Sequence, residues 1–496
     1  MRISHIDLAI LLAYLAGVTL FGIHFRRRQT SLREYFLSSR ATPWWALAGS
    51  IVATETSTLT IVSTPGLAYA TDLGFLQLVL GYLVARVVIC LIFIPHYFRG
   101  EFYTAYQYIG KRFGERMKTA SATVFLVTRA LAEGVRINAI GKVVSVAFGT
   151  GESVSVAVMT GLVIVYTFEG GMRAVIWTDL AQLILYLGGS TVAFFLLLHK
   201  IPGGWGEVTR VAAASGHKLQ VFHFDFSLTH AYTFWAGIAG GTFLTMASHG
   251  TDQTMVQRLL AARNERDSKK ALLASGVIIF VQFALFLVIG VMLYVFARHT
   301  GLLAPGGDTD KLFPEFIVRD LPVGLAGLVL ASIFAVAMSN ASGSLNSLAS
   351  SSIVDFKRLR GGSALDDERL VKVSRWVTVG WGLVLGVLGL VHWGVVLVAG
   401  LTIASITYGG MLGLFLLGIL SRRATPRGAM VGLVTGLLMM VGAQFARPLL
   451  ALVGIHLHAT LAWTWYVLVG TLITFSVGWL VSRFAPGPAV VAAEPE

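Results

Sequence analysis

The sequence predicts an all-α integral membrane protein with about thirteen transmembrane helices, and three observations carry that prediction. Hydrophobic residues make up 55% of the 496-residue chain and charged residues only 13%, a balance foreign to soluble domains. Apolar windows of about 20 residues, long enough to cross a bilayer, recur over nearly the whole length. Basic residues gather in alternate loops, which is how cytoplasmic connections are marked. The formal net charge of +13 is therefore a topology signal, and nucleic acid is not an expected partner. The lipid bilayer is.

The windows place spans near 5–24, 44–70, 73–98, 120–148, 152–168, 174–199, 231–257, 271–297, 323–353, 374–394, 395–419, 429–450 and 461–482. The first, Ile6 to His24, lacks the basic leader and small-residue cleavage site of a signal peptide and reads as a mature helix. Bases such as Arg26, Arg33, Lys111, Arg116, Arg258, Lys269, Lys357, Arg369 and Arg422 fall on one side, while the opposite loops carry only scattered ones such as Lys200, Lys218 and Lys311. The N-terminus is thus expected outside and the C-terminus inside. The lone cysteine, Cys90, offers no internal disulfide.

The second span is chemically unlike a lipid-facing helix. From Ser50 to Thr64 eight of fifteen residues are Ser or Thr, Glu55 sits among them, and Pro65-Gly66 follows. Polar groups and helix breakers at membrane depth are tolerated where backbone is buried in protein or lines a wet cavity. The stretch reads as a discontinuous helix whose freed carbonyls and hydroxyls hold an ion or a polar solute.

Further along, residues 101–114 mix aromatics and bases as a helix lying in the membrane interface would. The fourth span holds Arg129, Glu133, Arg136 and Lys142; the first three share a helix face and form either a structural salt bridge or an Arg site for a carboxylate. In YTFEGGMRAVIWTDLAQ, 166–182, Asp179 and Gln182 are three apart, and Asp179 suits a cation or its release path. From Ser339 to Ser352 nine of fourteen residues are Ser or Asn, with Ser339, Ser342 and Asn346 on one face. Hydroxyls and helix-end carbonyls are the oxygen ligands a hard cation takes. Loops 200–230 and 299–322 either fold over the vestibule or merely connect helices, and the tail 483–496 reads as disordered.

Four strings, REYFLSSR (33–40), EGGMRAVIWTDLAQ (169–182), GTDQTMVQRLLAAR (250–263) and MSNASGSLNSLASSSIVDF (338–356), make the chain resemble the sodium/solute symporter family. The resemblance implies one transporter domain, 1–496, of the leucine-transporter type. A first helix and loop (1–42) would precede inverted five-helix repeats at 43–199 and 231–420, with peripheral helices at 429–482. Each repeat should open with a broken helix, and the seventh span supplies candidates at Gly240, Gly241, Ser248, His249, Gly250 and Asp252.

The resemblance also implies sodium as co-transported ion, held by the carbonyls of Ala53, Thr56 and Val336, the Ser339 hydroxyl and Asn340. Asn340 departs from the family's usual hydroxyl. A second ion site would use Asp179 and Ser342, but Gly343 stands where a further hydroxyl is needed. The solute cavity would be lined by Glu55, Ser57, Thr58, Thr60, Gln77, Asp252 and Gln253, joined by Arg129 or Arg136 for a carboxylate and by Thr402, Ser405 and Thr407. The implied activity is sodium-coupled uptake of a sugar, amino acid or carboxylate by a bacterial inner-membrane protein, functional as a monomer. Proton-coupled or sodium-independent transport on the same scaffold, or a non-transporting solute sensor, are its rivals; no nucleophile–base pair points to an enzyme.

Overall fold

The computed structural model describes residues 3–24, 42–99, 104–167, 172–302, 307–354, 367–451 and 460–484. The string at 33–40, residues 169–171 and 355–356, and the tail from 485 lie outside them. The described residues are helical with short connections, and one isolated backbone bridge joins Thr42 to Ala262.

Eighteen α-helices succeed one another among the described residues. They are α1 (His5–His24), α2 (Trp44–Glu55), α3 (Thr58–Ala70), α4 (Leu76–Arg99), α5 (Ala105–Phe113), α6 (Glu115–Phe148), α7 (Glu152–Thr167), α8 (Met172–Lys200) and α9 (Gly204–Ala214). Then come α10 (Phe234–Gly250), α11 (Gln253–Leu260), α12 (Glu265–Thr300), α13 (Leu312–Asp320), α14 (Leu325–Val354), α15 (Asp367–Gly389), α16 (Val396–Leu420), α17 (Pro426–Ala451) and α18 (Tyr466–Phe484). Among the described residues, seven helical segments are long and apolar enough to cross a membrane by length and composition. An eighth counts if α6 and α7, bent by 113° at their junction, form one span. Of the other expected spans, α2 and α3, like α10 and α11, are halves of broken helices, α6 carries four charges mid-length, and α1 and α15 are shorter apolar helices over the described residues.

The breaks are not where every sequence signal pointed. Pro65 and Gly66 lie inside α3, and the interruption falls at Thr56–Ser57. Gly66 serves packing instead: a Cβ there would lie 2.5 Å from the Thr309 carbonyl oxygen, so only glycine lets the 307–311 segment seat on α3. Gly240 and Gly241 likewise sit within α10, which breaks only at Thr251–Asp252. They let α10 lie against its neighbours, since a Cβ on Gly241 would come within 2.2 Å of the Leu78 carbonyl on α4.

The helices around both breaks form the core. α12 packs along α2, α3 and α4, α8 lies between α2 and α14, and α6 runs beside α14, α15 and α16. α12 begins at an Asn264 cap that accepts from the Asp267 amide at 2.9 Å and ends at Gly301, φ 71°. At 1.5 Å per residue it is about 54 Å long, so its charged first turns project beyond a hydrocarbon layer about 30 Å thick. Val277, Val281, Leu383, Val387 and Leu438 are exposed on outward faces, the surface lipid covers.

Two regions gain detail here. α5 packs one face on the protein: Tyr106, Ile109 and Phe113 are buried, and Arg112 donates to the Gly418 and Ser421 carbonyls at the end of α16. The 299–322 region does more than connect helices. Asp310 accepts from Lys142 of α6 at 2.9 Å and from the Val396 amide at 3.2 Å, tying the region across the α3–α6–α16 end of the bundle.

Candidate functional site

The first break is a set of backbone groups that helices elsewhere in the chain must satisfy. The Thr56 amide still donates to the Val52 carbonyl at 2.8 Å, but Thr56 and Ser57 are extended, and Ser57 turns its amide to the Thr60 hydroxyl at 3.3 Å. Side chains from α8, α12 and α14 converge on Thr56. Its hydroxyl donates to Gln282 Oε1 at 2.9 Å, the Tyr186 hydroxyl lies 3.0 Å from it, and Asn340 Nδ2 donates to its carbonyl at 2.7 Å. The same Nδ2 lies 3.1 Å from the Val336 carbonyl. Asn340 supplies the partner a buried backbone acceptor needs, and Gln282 and Tyr186 hold the Thr56 side chain, so three helices fix the residue at the break.

The second break is satisfied partly by its own sequence and partly from other helices, the Tyr97 hydroxyl of α4 donating to the Gly250 carbonyl at the end of α10. Asp252 caps α11 by accepting from the Thr254 amide at 2.8 Å, and its other oxygen accepts from the Tyr408 hydroxyl at 2.9 Å. Between the breaks lies a cavity of about 130 Å³. It is lined by Glu55, Ser57 and Thr60 from the first broken helix, Asp252 from the second, Arg129 and Arg136 from α6, and Tyr408 from α16.

Its electrostatics are divided. On one wall Glu55 pairs with Arg86 and stands 3.3 Å from His249 Nε2, and Arg86 is itself held by the Ser275 hydroxyl and the Tyr82 carbonyl. On the other, Arg129 Nε donates to Ser344 at 2.9 Å, Ser344 donates to Glu133 at 2.7 Å, and Arg136 Nη1 reaches Glu133 at 2.9 Å. Two guanidinium groups thus share one carboxylate. Arg129 Nη2 and Arg136 Nε have no hydrogen-bond partner among the described residues. Both side chains line the cavity, and guanidinium groups there suit a carboxylate ligand.

Below the cavity Asp179 is fully buried. Its carboxylate accepts from Ser339, from Ser50 at 2.6 Å and from Arg258 Nη2 at 3.1 Å, while Arg258 Nε donates to Ser50 at 3.0 Å. Arg258, expected among the loop bases, is 2% exposed. The position expected to hold or release a cation therefore holds an ion pair that joins α2, α8, α11 and α14. Gln182 faces elsewhere, donating to Tyr14 at 3.2 Å.

The expected solute residues divide. Glu55, Ser57, Thr60, Asp252, Arg129 and Arg136 meet at the cavity, and Ala53, Thr56, Val336, Ser339 and Asn340 are all buried in α2, its break and α14. Thr58 points away, toward Glu133 and Ala341. Gln77 accepts from the His223 amide and donates to the Tyr232 carbonyl, fixing the 220s loop, and Gln253 accepts from the Ala105 amide, fixing α5. Thr402, Ser405 and Thr407 miss the α16 face that lines the cavity, which consists of Leu397, Gly400, Leu401, Ala404 and Tyr408. Ser342 is half-buried on α14. Sequence reasoning overlooked Arg86, Gln282, Tyr186 and Tyr408. Arg86 and Gln282 carried a usable signal, because each is a strongly polar residue inside an apolar span.

Two broken helices enclosing a polar cavity, in a bundle of apolar helices, define a membrane transporter. Comparison with known proteins makes the class specific: the chain belongs to the sodium:solute symporter family, whose model matches residues 35–436. It is a multi-pass membrane symporter and not an enzyme, and sodium is its co-transported ion. Among relatives, the sodium/sialic acid symporter SiaT of Proteus mirabilis is 28% identical over 90% of each chain. The sodium-coupled monocarboxylate transporter 2 of Bos taurus is 28% identical over 88% of this chain and 71% of its own. A solved Na⁺-coupled sialic acid symporter, in a substrate-bound outward-open state, superposes with a TM-score of 0.87 at 26% identity, covering 97% of this chain and 98% of that one.

Proposed function

We propose that the chain is an inner-membrane symporter that couples sodium entry to uptake of a small carboxylate-bearing solute, held between the two breaks. The observation that carries the solute class is the pair Arg129 and Arg136, two guanidinium side chains that line the cavity and share the single carboxylate of Glu133. Glu55, Asp252, Ser57 and Thr60 give the same cavity acceptors and hydroxyls for a solute's hydroxyl or amino groups. The two relatives' solutes are carboxylic acids, which fits. At about 130 Å³ the cavity favours a small member of that class.

Sodium belongs in the carbonyl-rich seam of Ala53, Thr56, Val336, Ser339 and Asn340. Sodium there raises solute affinity by a coupling free energy, and the solute raises sodium affinity equally. Thirteen spans, inverted repeats at 43–199 and 231–420, an outside N-terminus and a monomer complete the reading. The matched interruptions at Thr56–Ser57 and Thr251–Asp252 support the repeats.

The test is thermal stability of purified protein with sugars, amino acids and small carboxylates, each in sodium and in potassium. A solute at a hundredfold excess over its dissociation constant stabilises by about 2.7 kcal/mol. Carboxylates should raise the melting temperature more in sodium than in potassium, and Arg129→Gln should abolish the shift. Neutral sugars stabilising as strongly as carboxylates would overturn the solute class.

A further inference from the structure

The α2 break frees the carbonyl of Thr56, because Thr60, its helical partner in an unbroken helix, donates to Ser57 instead at 2.9 Å. That carbonyl and the one at Val336 face the Asn340 carboxamide, at 2.7 and 3.1 Å from Nδ2. Both are acceptors only, so the side chain must present its nitrogen; the opposite orientation would crowd three oxygens together. A position in contact with both oxygens is therefore filled by an amide carrying partial positive charge. Asn340 Oδ1 is left buried without a partner among the described residues, in a residue only 3% exposed. A buried amide with one end doubly satisfied and the other orphaned is half of an exchange: rotating it would release the two carbonyls and turn the idle oxygen toward whatever entered.

We infer that the Asn340 amide is an internal competitor for sodium. Resting on the sodium seam proposed above, this assignment gives Asn340 a role opposite to that of a simple ligand. In the ion-free protein the –NH₂ group bridges Thr56 and Val336 and docks the broken helix on α14, the work a cation would otherwise do. Sodium enters only when the amide swings aside, so its apparent affinity is lowered by the fraction of time the seam is open. A hydroxyl at this position offers one donor in place of two and does not span both carbonyls, so that seam waits for its ion.

The experiment is a sodium titration of melting temperature, without solute, at constant ionic strength against potassium, for the wild-type chain, Asn340→Ser and Asn340→Thr. Threonine restores part of the lost volume, guarding against a variant that fails merely through a cavity. Both hydroxyl variants should melt below wild type in potassium, and the gap should close as sodium rises. Their sodium half-saturation should fall by about tenfold, the scale of one lost intramolecular hydrogen-bond bridge. Unchanged or weaker sodium response in both variants would overturn the competitor role and leave Asn340 as an ordinary ligand or a spectator. Because no solute is present the result is independent of the solute reading, and a wild-type chain whose melting does not respond to sodium at all would count against the sodium seam itself.

Discussion

The two breaks border the same cavity, yet they are held in opposite ways. The first is the carboxyl end of α2, where Asn340 donates to the freed Thr56 carbonyl while Gln282 and Tyr186, from two further helices, hold the Thr56 hydroxyl. The second is the amino end of α11, where freed amides demand an acceptor, and one residue of the same segment, Asp252, supplies it. The polarity of a helix explains the difference. A carboxyl end gathers negative partial charge, which a cation or a borrowed amide nitrogen can satisfy; an amino end is satisfied by a single carboxylate. Three other helices thus fix the residue at the first break, while the second combines its own Asp252 cap with the Tyr97 and Tyr408 hydroxyls of α4 and α16.

The sharpest way to break this comparison is to cut the ion pair joining the two regions. Arg258 belongs to α11 beyond the second break, and it reaches Ser50 on α2 and Asp179 on α8. Asp179→Ala leaves a buried guanidinium uncompensated and should destabilise by about 3–5 kcal/mol. Replacing both Asp179 and Arg258 with leucine should recover much of that loss, because the stranded charge is gone. Thermal melting of the two variants measures both effects. A double variant no better than Asp179→Ala would mean that the pair's hydrogen bonds to Ser50, Ser339 and Thr254, not charge compensation, hold the regions together.

How much of this was legible depends on whether a residue's role is local. The interruption of the second and seventh spans could be read from runs of Ser, Thr, Gly and Asp, because intramembrane polarity is a local signal. The positions of the breaks could not, since Pro65 is accommodated inside α3 and Gly240 and Gly241 lie inside α10, where close packing demands glycine. Glu55, Arg129 and Arg136, which line the cavity, stood out in the sequence because charges in apolar spans are conspicuous. Thr402, Ser405 and Thr407 were misplaced because a helix face is set by phase, and one residue of error turns a side chain by about 100°. Arg258 was taken for a loop base because its partner, Asp179, lies 79 residues earlier.

A gentler pair of substitutions sharpens the contrast between the breaks themselves. Gln282→Leu removes the acceptor shared by the Thr56 and Tyr186 hydroxyls and should destabilise by about 1–3 kcal/mol. Asp252→Ala removes a helix cap and the Tyr408 contact, for which about 1 kcal/mol is expected. Melting temperature alone would rank them. Ligand response separates them further: loss at Gln282 should weaken the sodium-dependent shift, and loss at Asp252 should weaken the solute-dependent one. Equal effects of both substitutions on both ligands would mean that the breaks act as one unit.

The smallest effect is expected where a charge cluster touches neither break. On α9, Arg210 donates to both oxygens of Glu207 at 2.7 Å, and the His299 ring lies 3.2 Å away. Hydrogen bonding from Arg210 holds the Glu207 carboxyl below its ordinary value of 4.5. A depressed carboxyl contributes stability above its unfolded value and loses it as pH falls through the folded one, so any contribution should fade below about pH 4.5. The cluster lies in solvent, where screening and side-chain entropy cancel most of the attraction. Glu207→Gln should therefore melt with wild type at pH 7 to within error and stay so down to pH 5, with sodium and solute shifts unchanged. A clear destabilisation at neutral pH would show that α9 braces α8 and α12, and the comparison of the two breaks would need to include it.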